Sequence, residues 1–149
     1  MITTIRTDSA NTDFRQLVSQ LDRYLAGIDG DEHAFYAKLN KTDHIREVIV
    51  AYEDNIPVGC GAIRAFSPEA MEVKRMYVLP EKRGIGVASI VLAALEEWAK
   101  ELGYQKTVLE TGKRQPEAIA LYTNRGYVVT PNYGQYVGVE NSVCFEKPL

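Results

Sequence analysis

The sequence predicts a mixed α/β fold in one domain spanning residues 1–149, on three observations. A chain of this length with 46% hydrophobic residues is long enough to bury one sizeable core. Three strand-like runs between residues 45 and 79 are separated only by short turns, which is typical of an antiparallel meander. A helical run follows at residues 87–102 and leads into another strand-like run, which predicts one strand–helix–strand crossover.

The first half of the chain alternates between strand-like and helix-like segments. Ile2 to Thr7 is β-branched and alternating, and the apolar residues between Asp8 and Ala26 follow helical spacing. Residues 31–39 predict a second, short helix. The turn residues Asp54 and Asn55 lie between two strand-like runs and predict a β-hairpin. The strands predicted here are Ile2 to Thr7, Ile45 to Glu53, Ile56 to Phe66 and Met71 to Leu79.

The second half predicts helices with clear end signals. Gly103 follows the helical run that begins at Val87, and glycine is common directly after a helix. Pro116 and Gly126 bracket another helix over residues 116–125, because proline favours the first helical turn. The remaining predicted strands are Lys106 to Thr111, Tyr127 to Thr130 and Ser142 to Lys147.

Charge and composition exclude several classes of function. A net charge of −3 and a pI near 5.4 disfavour general binding to nucleic acid or to an anionic membrane. No segment approaches the roughly 20 apolar residues of a transmembrane helix, and no leader-like segment is seen. Neither the cysteines nor the histidines have metal-ligand spacing, so we expect reduced thiols, no metal and a cytoplasmic protein. These residues are Cys60, Cys144, His33 and His44.

Residues 83–88 read Arg-Gly-Ile-Gly-Val-Ala and connect a predicted strand to a predicted helix. Glycines at 84 and 86 allow a tight turn in which several backbone N–H groups point at one anion. The N-terminus of the following helix adds a partial positive charge. Basic residues cluster around this loop, at Lys74, Arg75, Lys82 and Arg83, with Lys113 and Arg114 after the next strand. The pattern predicts a phosphate site, most simply for a pyrophosphate.

These motifs resemble those of the GNAT acetyltransferase superfamily. Arg83, Gly86 and Ala88 fill the family's phosphate signature in register. The strand residues Met76-Tyr77-Val78 precede the signature, and the later residues Ala118, Leu121, Tyr122, Gly126 and Tyr127 are also family features. The resemblance covers about residues 45–147 and is most specific over residues 72–127.

The resemblance implies a fold, a cosubstrate and a reaction. The fold is a central mixed, mostly antiparallel sheet, splayed between its fourth and fifth strands and flanked by helices. The reaction is transfer of an acetyl group from acetyl-CoA to a primary amine by direct attack. The implied pyrophosphate cradle is Arg83, Gly84, Ile85, Gly86, Val87 and Ala88, and Met76, Tyr77 and Val78 would pair with the pantetheine arm. Gln115 stands where many relatives have an asparagine that contacts the cosubstrate.

Two side chains are the candidate catalytic groups. Tyr122 matches the tyrosine that serves as the acid in the family, and a phenol with a pKa of about 10 is protonated at neutral pH. Its alternative role is that of a core aromatic residue. Glu72 lies where some members carry a glutamate base, and strand alternation predicts that it shares a face with Lys74, Met76 and Val78. Its alternative role is a surface ion pair with Lys74, whose ammonium would make it a weaker base. A backbone N–H near Met76 or Tyr77 is the candidate donor to the thioester carbonyl oxygen.

The acceptor amine is not identified by the sequence. Glu110 and Thr111 end the strand that faces the splayed one, so they are either acceptor contacts or an ordinary strand end. Further candidates for the acceptor pocket are Phe35, Tyr36, Tyr133 and Tyr136, and the acidic residues Asp29, Asp31 and Glu32 would favour a cationic amine. The resemblance is also compatible with a homodimer.

Other classes of function fit less well. Ser89 replaces the third glycine of a dinucleotide-binding fingerprint, and no Gly-Lys-Ser/Thr sequence supplies a nucleotide-hydrolysing loop. Neither cysteine has a nearby base in sequence, which disfavours a covalent enzyme intermediate. The remaining alternative is a non-catalytic acyl-CoA-binding sensor or interaction module with the same fold.

Overall fold

The computed structural model describes residues 1–30, 34 and 44–149, which form a seven-stranded sheet with helices on its faces. The predicted helix at residues 31–39, with Phe35 and Tyr36, lies outside the described residues, as do the acidic residues Asp31 and Glu32. The strands are β1 (Ile2–Thr7), β2 (Glu47–Glu53), β3 (Ile56–Ala65), β4 (Ala70–Val78), β5 (Lys106–Gly112), β6 (Val128–Thr130) and β7 (Ser142–Pro148). The α-helices are α1 (Thr12–Asp29), α2 (Val87–Glu101) and α3 (Pro116–Asn124), with short 3-10 turns at Pro80–Lys82 and Gly134–Tyr136.

Most element boundaries fall where the sequence predicts them. Helix α1 begins at Thr12, four residues after the predicted segment starts at Asp8, because Asn11 caps it by accepting a hydrogen bond from the Phe14 N–H at 2.9 Å. Asp54 and Asn55 both have positive φ angles, which confirms the predicted tight hairpin turn. None of the described helices has the length and apolar composition needed to cross a bilayer.

The sheet is mostly antiparallel and has one partly open junction. Its strand order is β1-β2-β3-β4-β5-β7-β6, and β4 and β5 form its parallel pair. These two strands pair only from Ala70 to Glu72 on β4 and from Lys106 to Val108 on β5. Beyond Glu72 and Val108 both strands continue without pairing to each other. The predicted splay between the fourth and fifth strands is confirmed.

The two faces of the sheet carry separate apolar clusters. On one face, α1 buries Phe14 and Leu17 against strand residues such as Val48, Val50 and Tyr77. On the other face, α2 and α3 pack in a larger cluster whose strand residues come mainly from β2, β3 and β4. Burying these side chains from water is the main source of stability for a domain of this size.

A β-bulge in β4 changes which residues share a face. Between the pairs Ala62–Lys74 and Cys60–Tyr77, β4 has one residue more than β3, and Arg75 in the bulge has a φ of 59°. Cross-strand partners lie on the same face, so Lys74 and Tyr77 both face α1. Met76 and Val78 belong to the α2 side. Simple alternation, which predicted them on the face of Glu72, is therefore wrong beyond the bulge.

Gly61 lies on β3 opposite the bulge and leaves room for α2. A Cβ atom at this position would lie 2.5 Å from Met76 Sδ, 2.9 Å from Leu95 Cδ1 and 3.0 Å from Val91 Cγ1. We predict that Gly61→Ala lowers the free energy of unfolding by about 1–3 kcal/mol, as expected for overpacking. Urea denaturation followed by circular dichroism measures the change.

Gly27→Ala is the matched control, because, apart from the local backbone of α1, no atom in the described part of the chain lies within 4 Å of a Cβ at this position. The same substitution there should raise stability by about 0.5–1 kcal/mol through helix propensity. Equal effects of the two substitutions would contradict the packing described around Gly61.

Candidate active site

The turn before α2 has the backbone geometry of an anion site. Gly84 has a φ of 83° and Gly86 a φ of 90°, a region that glycine enters without steric cost. Gly86 is the N-cap of α2, and its carbonyl oxygen accepts a hydrogen bond from the Ile90 N–H at 3.0 Å. Helix geometry leaves the N–H groups of the first turn without intrahelical acceptors. They therefore face the space in front of the helix, where they can bind an anion.

Arg83 is held against β4 and α1. Its Nε donates a hydrogen bond to the carbonyl of Val78 at 3.2 Å. Its guanidinium carbon lies 5.4 Å from the ring centre of Tyr24 and 5.8 Å from that of Tyr77. These contacts fix a positive charge at the start of the loop, and no pattern in the sequence predicted the contact with Tyr24.

A cleft of about 570 Å³ lies where β4 and β5 separate. Its walls come from α1, the unpaired end of β4, the glycine loop and α3. Most of the predicted cosubstrate residues lie together along it, whereas Ile85 is exposed and does not line it. The predicted residues in the cleft are Met76, Tyr77, Val78, Arg83, Gly84, Gly86, Val87, Ala88, Gln115 and Tyr122.

Tyr122 is the aromatic side chain of α3 that reaches this cleft. It is buried, and its ring meets those of Tyr127 and Phe145 at 5.8 and 6.2 Å between centres. Burial, with a smaller effect of the Glu110 carboxylate, raises the pKa of Tyr122 above its ordinary value. The phenol therefore keeps its proton throughout the neutral range. Tyr122 is thus both a core aromatic residue and a cleft residue.

A second, smaller cleft of about 120 Å³ lies beside the first. Both clefts are lined by Leu21, Met76, Gln115, Ala118 and Tyr122, so they meet at these residues. Most of the remaining residues that line the smaller cleft are polar or charged, namely Glu72, Lys74, Arg75, Glu110, Thr111 and Tyr136. This arrangement joins a long cleft with an anion site to a short charged one.

Glu72 is the last residue of β4 that pairs with β5, and it lies in a cluster of polar side chains. Its Oε2 accepts a hydrogen bond from the Tyr133 hydroxyl at 2.7 Å, and its Oε1 lies 3.5 Å from Lys74 Nζ and 3.4 Å from Arg64 Nε. The side chains of Glu72 and Lys74 are only 6% and 5% exposed. The alternative of a surface ion pair is therefore wrong, because the pair is buried. Burial lowers the pKa of Lys74, although Glu72 partly offsets the effect.

Glu110 and Thr111 line the smaller cleft from the opposite strand. Glu110 Oε2 accepts a hydrogen bond from the Ser142 hydroxyl of β7 at 2.6 Å. Thr111 is buried, as is Tyr136, whose ring stacks edge-on with Tyr133. Glu110 and Thr111 therefore face Glu72 across the open junction, which agrees with their position near the end of β5.

The cysteines do not take part in either cleft. Both are free and buried, and burial raises the pKa of the Cys60 thiol to about 12. Such a thiol stays protonated and is a poor nucleophile. Within residues 1–30, 34 and 44–149, no group of three metal-ligating side chains comes together.

The sequence reasoning missed two features of the site. Tyr133 appeared only as a general pocket residue, but its hydroxyl binds Glu72 over 61 positions of sequence. Arg75 appeared only among basic residues near the loop, but its buried guanidinium forms an ion pair with Asp22 of α1. No local pattern reports such long-range contacts. The only sequence signal for the bulge that orients Arg75 would be a break in the alternation of residues along β4.

Comparison with known proteins gives a consistent result. The family model for the acetyltransferase (GNAT) family matches residues 12–127. An IAA acetyltransferase of Azospirillum brasilense is 36% identical over 137 residues, covering 90% of this chain and 89% of the relative. A proposed acyl-CoA N-acyltransferase of Klebsiella pneumoniae superposes with a TM-score of 0.84 at 31% identity, covering 100% of this chain and 98% of the other.

A structure of a GNAT family acetyltransferase from Elizabethkingia anophelis, solved with acetyl-CoA bound, shares the fold with a TM-score of 0.71 at 18% identity. It covers 99% of this chain and 98% of its own. The family match covers both the glycine loop and α3, which form the walls of the larger cleft. The chain belongs to the acetyltransferase (GNAT) family, and it is an acyl-CoA N-acyltransferase.

Proposed function

We propose that this protein transfers an acetyl group from acetyl-CoA to a primary amine by direct attack, without a covalent enzyme intermediate. The observation that carries the proposal is the junction of the two clefts at Met76, Gln115 and Tyr122. The longer cleft would hold the cosubstrate and the shorter one the acceptor. Their shared walls are where the two reacting groups would meet.

The residues of the longer cleft fit coenzyme A. At Gly84 and Gly86, apart from their chain neighbours, no atom of the described residues lies within 4 Å of where a Cβ would stand, so the loop leaves open space beside its backbone. The N-terminal amides of α2 and the fixed charge of Arg83 suit a pyrophosphate there. The edge of β4 from Val73 to Val78 does not pair with β5. Its backbone groups are therefore available to the amides of an extended arm.

The bound cosubstrate supplies a thioester carbonyl as the electrophile. A new C–N bond forms as the C–S bond breaks, the amine nitrogen loses one proton and the departing sulfur gains one. Tyr122 is the group that would donate a proton to sulfur, because it lies at the junction and stays protonated. Backbone N–H groups near Met76 would orient the carbonyl.

Glu72 is our candidate for the base, acting directly or through a water molecule. It lies in the acceptor cleft, but Tyr133, Lys74 and Arg64 already contact its oxygens. A substrate amine would have to compete with these contacts for the carboxylate oxygens. Glu110, which faces the same cleft, is the competing candidate.

Tyr122→Phe should lower kcat by about 10²–10⁴-fold, the usual contribution of a general acid. Its Kd for coenzyme A should change little, because the ring that packs in the core is kept. Turnover is measured by thiol release from acetyl-CoA, and affinity by calorimetry. Tyr127→Phe is the matched control: its hydroxyl binds Thr107 at 2.7 Å, and it lines neither cleft. Equal turnover of the two variants would remove Tyr122 from the acid role.

Gly86→Ala should weaken binding of coenzyme A by at least about tenfold, since a non-glycine residue resists the required φ of 90° and the loop would relax away from it. Gly138→Ala is the control, because Gly138 has a φ of 80° and equally open space but lies outside both clefts. Calorimetric titration of both variants makes the comparison. A normal affinity in a folded Gly86→Ala protein would argue against the phosphate cradle.

Glu72→Gln tests the base through the pH dependence of kcat. If Glu72 accepts the proton, activity of the parent protein falls as acid protonates it, and the variant loses that acidic limb together with about 10²-fold or more of its rate. Glu110→Gln, measured in parallel, should keep the limb. A limb that persists in Glu72→Gln and disappears in Glu110→Gln would transfer the role to Glu110.

A further inference from the structure

The smaller cleft carries buried positive charge that the acetyl-transfer chemistry does not use. Lys74 and Arg75 follow each other at the bulge of β4, and their side chains are 5% and 1% exposed. Both line this cleft. Neither residue type is commonly buried to this extent without a strong partner. Two adjacent buried cations therefore call for an explanation at this site.

The Arg75 side chain has an unused donor. Its Nη2 is paired with Asp22 of α1, a carboxylate that is itself 56% exposed. Its Nε, however, is buried and has no hydrogen-bond acceptor within the part of the chain that the structure describes. A buried N–H without an acceptor is rare in native proteins and is costly to keep. A guanidinium in this state offers a site for an oxygen anion.

The strained backbone at Arg75 determines the direction of its side chain. Arg75 adopts a φ of 59°, which non-glycine residues seldom adopt, and the extra residue of the bulge turns it towards α1. Glu72 Oε1 lies 3.5 Å from Lys74 Nζ, and the Glu110 carboxylate of the same cleft also acts on this ammonium. Since Glu72 is also bound by Tyr133 and approached by Arg64, it is shared among three donors. Lys74 therefore does not have its nearest carboxylate to itself.

We propose that the acceptor is a small amine that also carries a carboxylate, such as an α-amino acid, and that Lys74 and Arg75 bind this carboxylate. This inference rests on the proposed function, because it names the substrate class of that same site. The carboxylate would lie against the bulge. The amine would then point past Met76 towards the junction with the longer cleft, between the carboxylates of Glu72 and Glu110.

The size and charge of the cleft agree with this class. A volume of about 120 Å³ suits a small molecule and is too small for a folded partner. Its charged walls present both signs, with cations at the bulge and carboxylates on β4 and β5. A zwitterion matches both, whereas a simple alkylamine would bring no acceptor for Arg75 Nε.

The first test uses the unmodified protein with matched pairs of acceptors. Each proteinogenic L-amino acid is compared with its L-amino-acid amide, which keeps the amine and the size but lacks the negative charge. Thiol release from acetyl-CoA gives kcat/KM for each. We expect the best acid to exceed its amide by at least about tenfold, the ratio that one charge-assisted contact provides.

The outcomes separate the two proposals. Amides or alkylamines that react as well as the acids overturn the carboxylate inference and leave acetyl transfer to an amine intact. No thiol release with any acid, amide or alkylamine contradicts both.

The second test assigns the residue. Lys74→Met should reduce the acid-to-amide ratio towards one, mainly by raising KM for the acid about 10- to 100-fold, while KM for acetyl-CoA stays unchanged. Lys74→Arg should restore part of the ratio, because it restores the charge. A role in folding alone would lower the rates with acid and amide equally.

Lys106→Met is the control, since it removes a lysine of β5 whose ion pair with Glu146 is exposed and outside the cleft. It should leave the acid-to-amide ratio unchanged. An unaltered ratio in a folded Lys74→Met protein would overturn the assignment to Lys74.

Discussion

The structure depends on one interrupted pairing, the loss of contact between β4 and β5 beyond Glu72 and Val108. A sheet interior normally satisfies the hydrogen bonds of both edges of every strand. Here β4 keeps β3 on one side and leaves its other edge open inside the fold. Both clefts form at this opening, and α3 covers it with Tyr122. The site is thus formed by an unpaired strand edge as well as by side chains.

Two backbone features adapt the neighbouring chain to this opening. The bulge at Arg75 reverses the alternation of the residues that follow it. Tyr77 therefore faces α1, as Lys74 before the bulge does, while Met76 and Val78 face α2. The glycine turn then starts α2 with its N-terminus directed at the longer cleft. Because Arg83 is fixed on Val78 and Tyr24, loop, strand and first helix are held as one unit. Substitution at the glycine turn should therefore weaken ligand binding more than it lowers the stability of the core.

The sequence predicted much of this arrangement because its signals are local. The hairpin at Asp54–Asn55 and the glycines at 84 and 86 require particular φ angles, and such requirements can be recognised in short segments. The apolar spacing of α2 likewise predicted the burial of Val87, Val91 and Leu95, whereas Ile90 and Leu102 of the same pattern are exposed. The family resemblance predicted the splay and most residues of the longer cleft, since its motifs lie on β4, on the glycine turn and on α3.

The features that escaped prediction depend on distant residues. Alternation along β4 failed at Arg75 because a bulge is set by the pairing with β3 and by Asp22 of α1, 53 positions away. The burial of Glu72 and Lys74 likewise comes from packing around them, including Tyr133 on a later loop. A short stretch of sequence shows that charges are present and does not show that they are buried. The acceptor cleft is therefore the part of the site that needed a structure.

Residue-resolved amide hydrogen exchange, with and without coenzyme A, tests most directly whether the open junction holds the cosubstrate. The account predicts slower exchange on addition of coenzyme A in two places, the unpaired edge of β4 from Val73 to Val78 and the turn from Gly84 to Ala88. Strands β1 and β2, which lie far across the sheet, should be unaffected. Binding that protects neither segment, or protection confined to other elements, would contradict it.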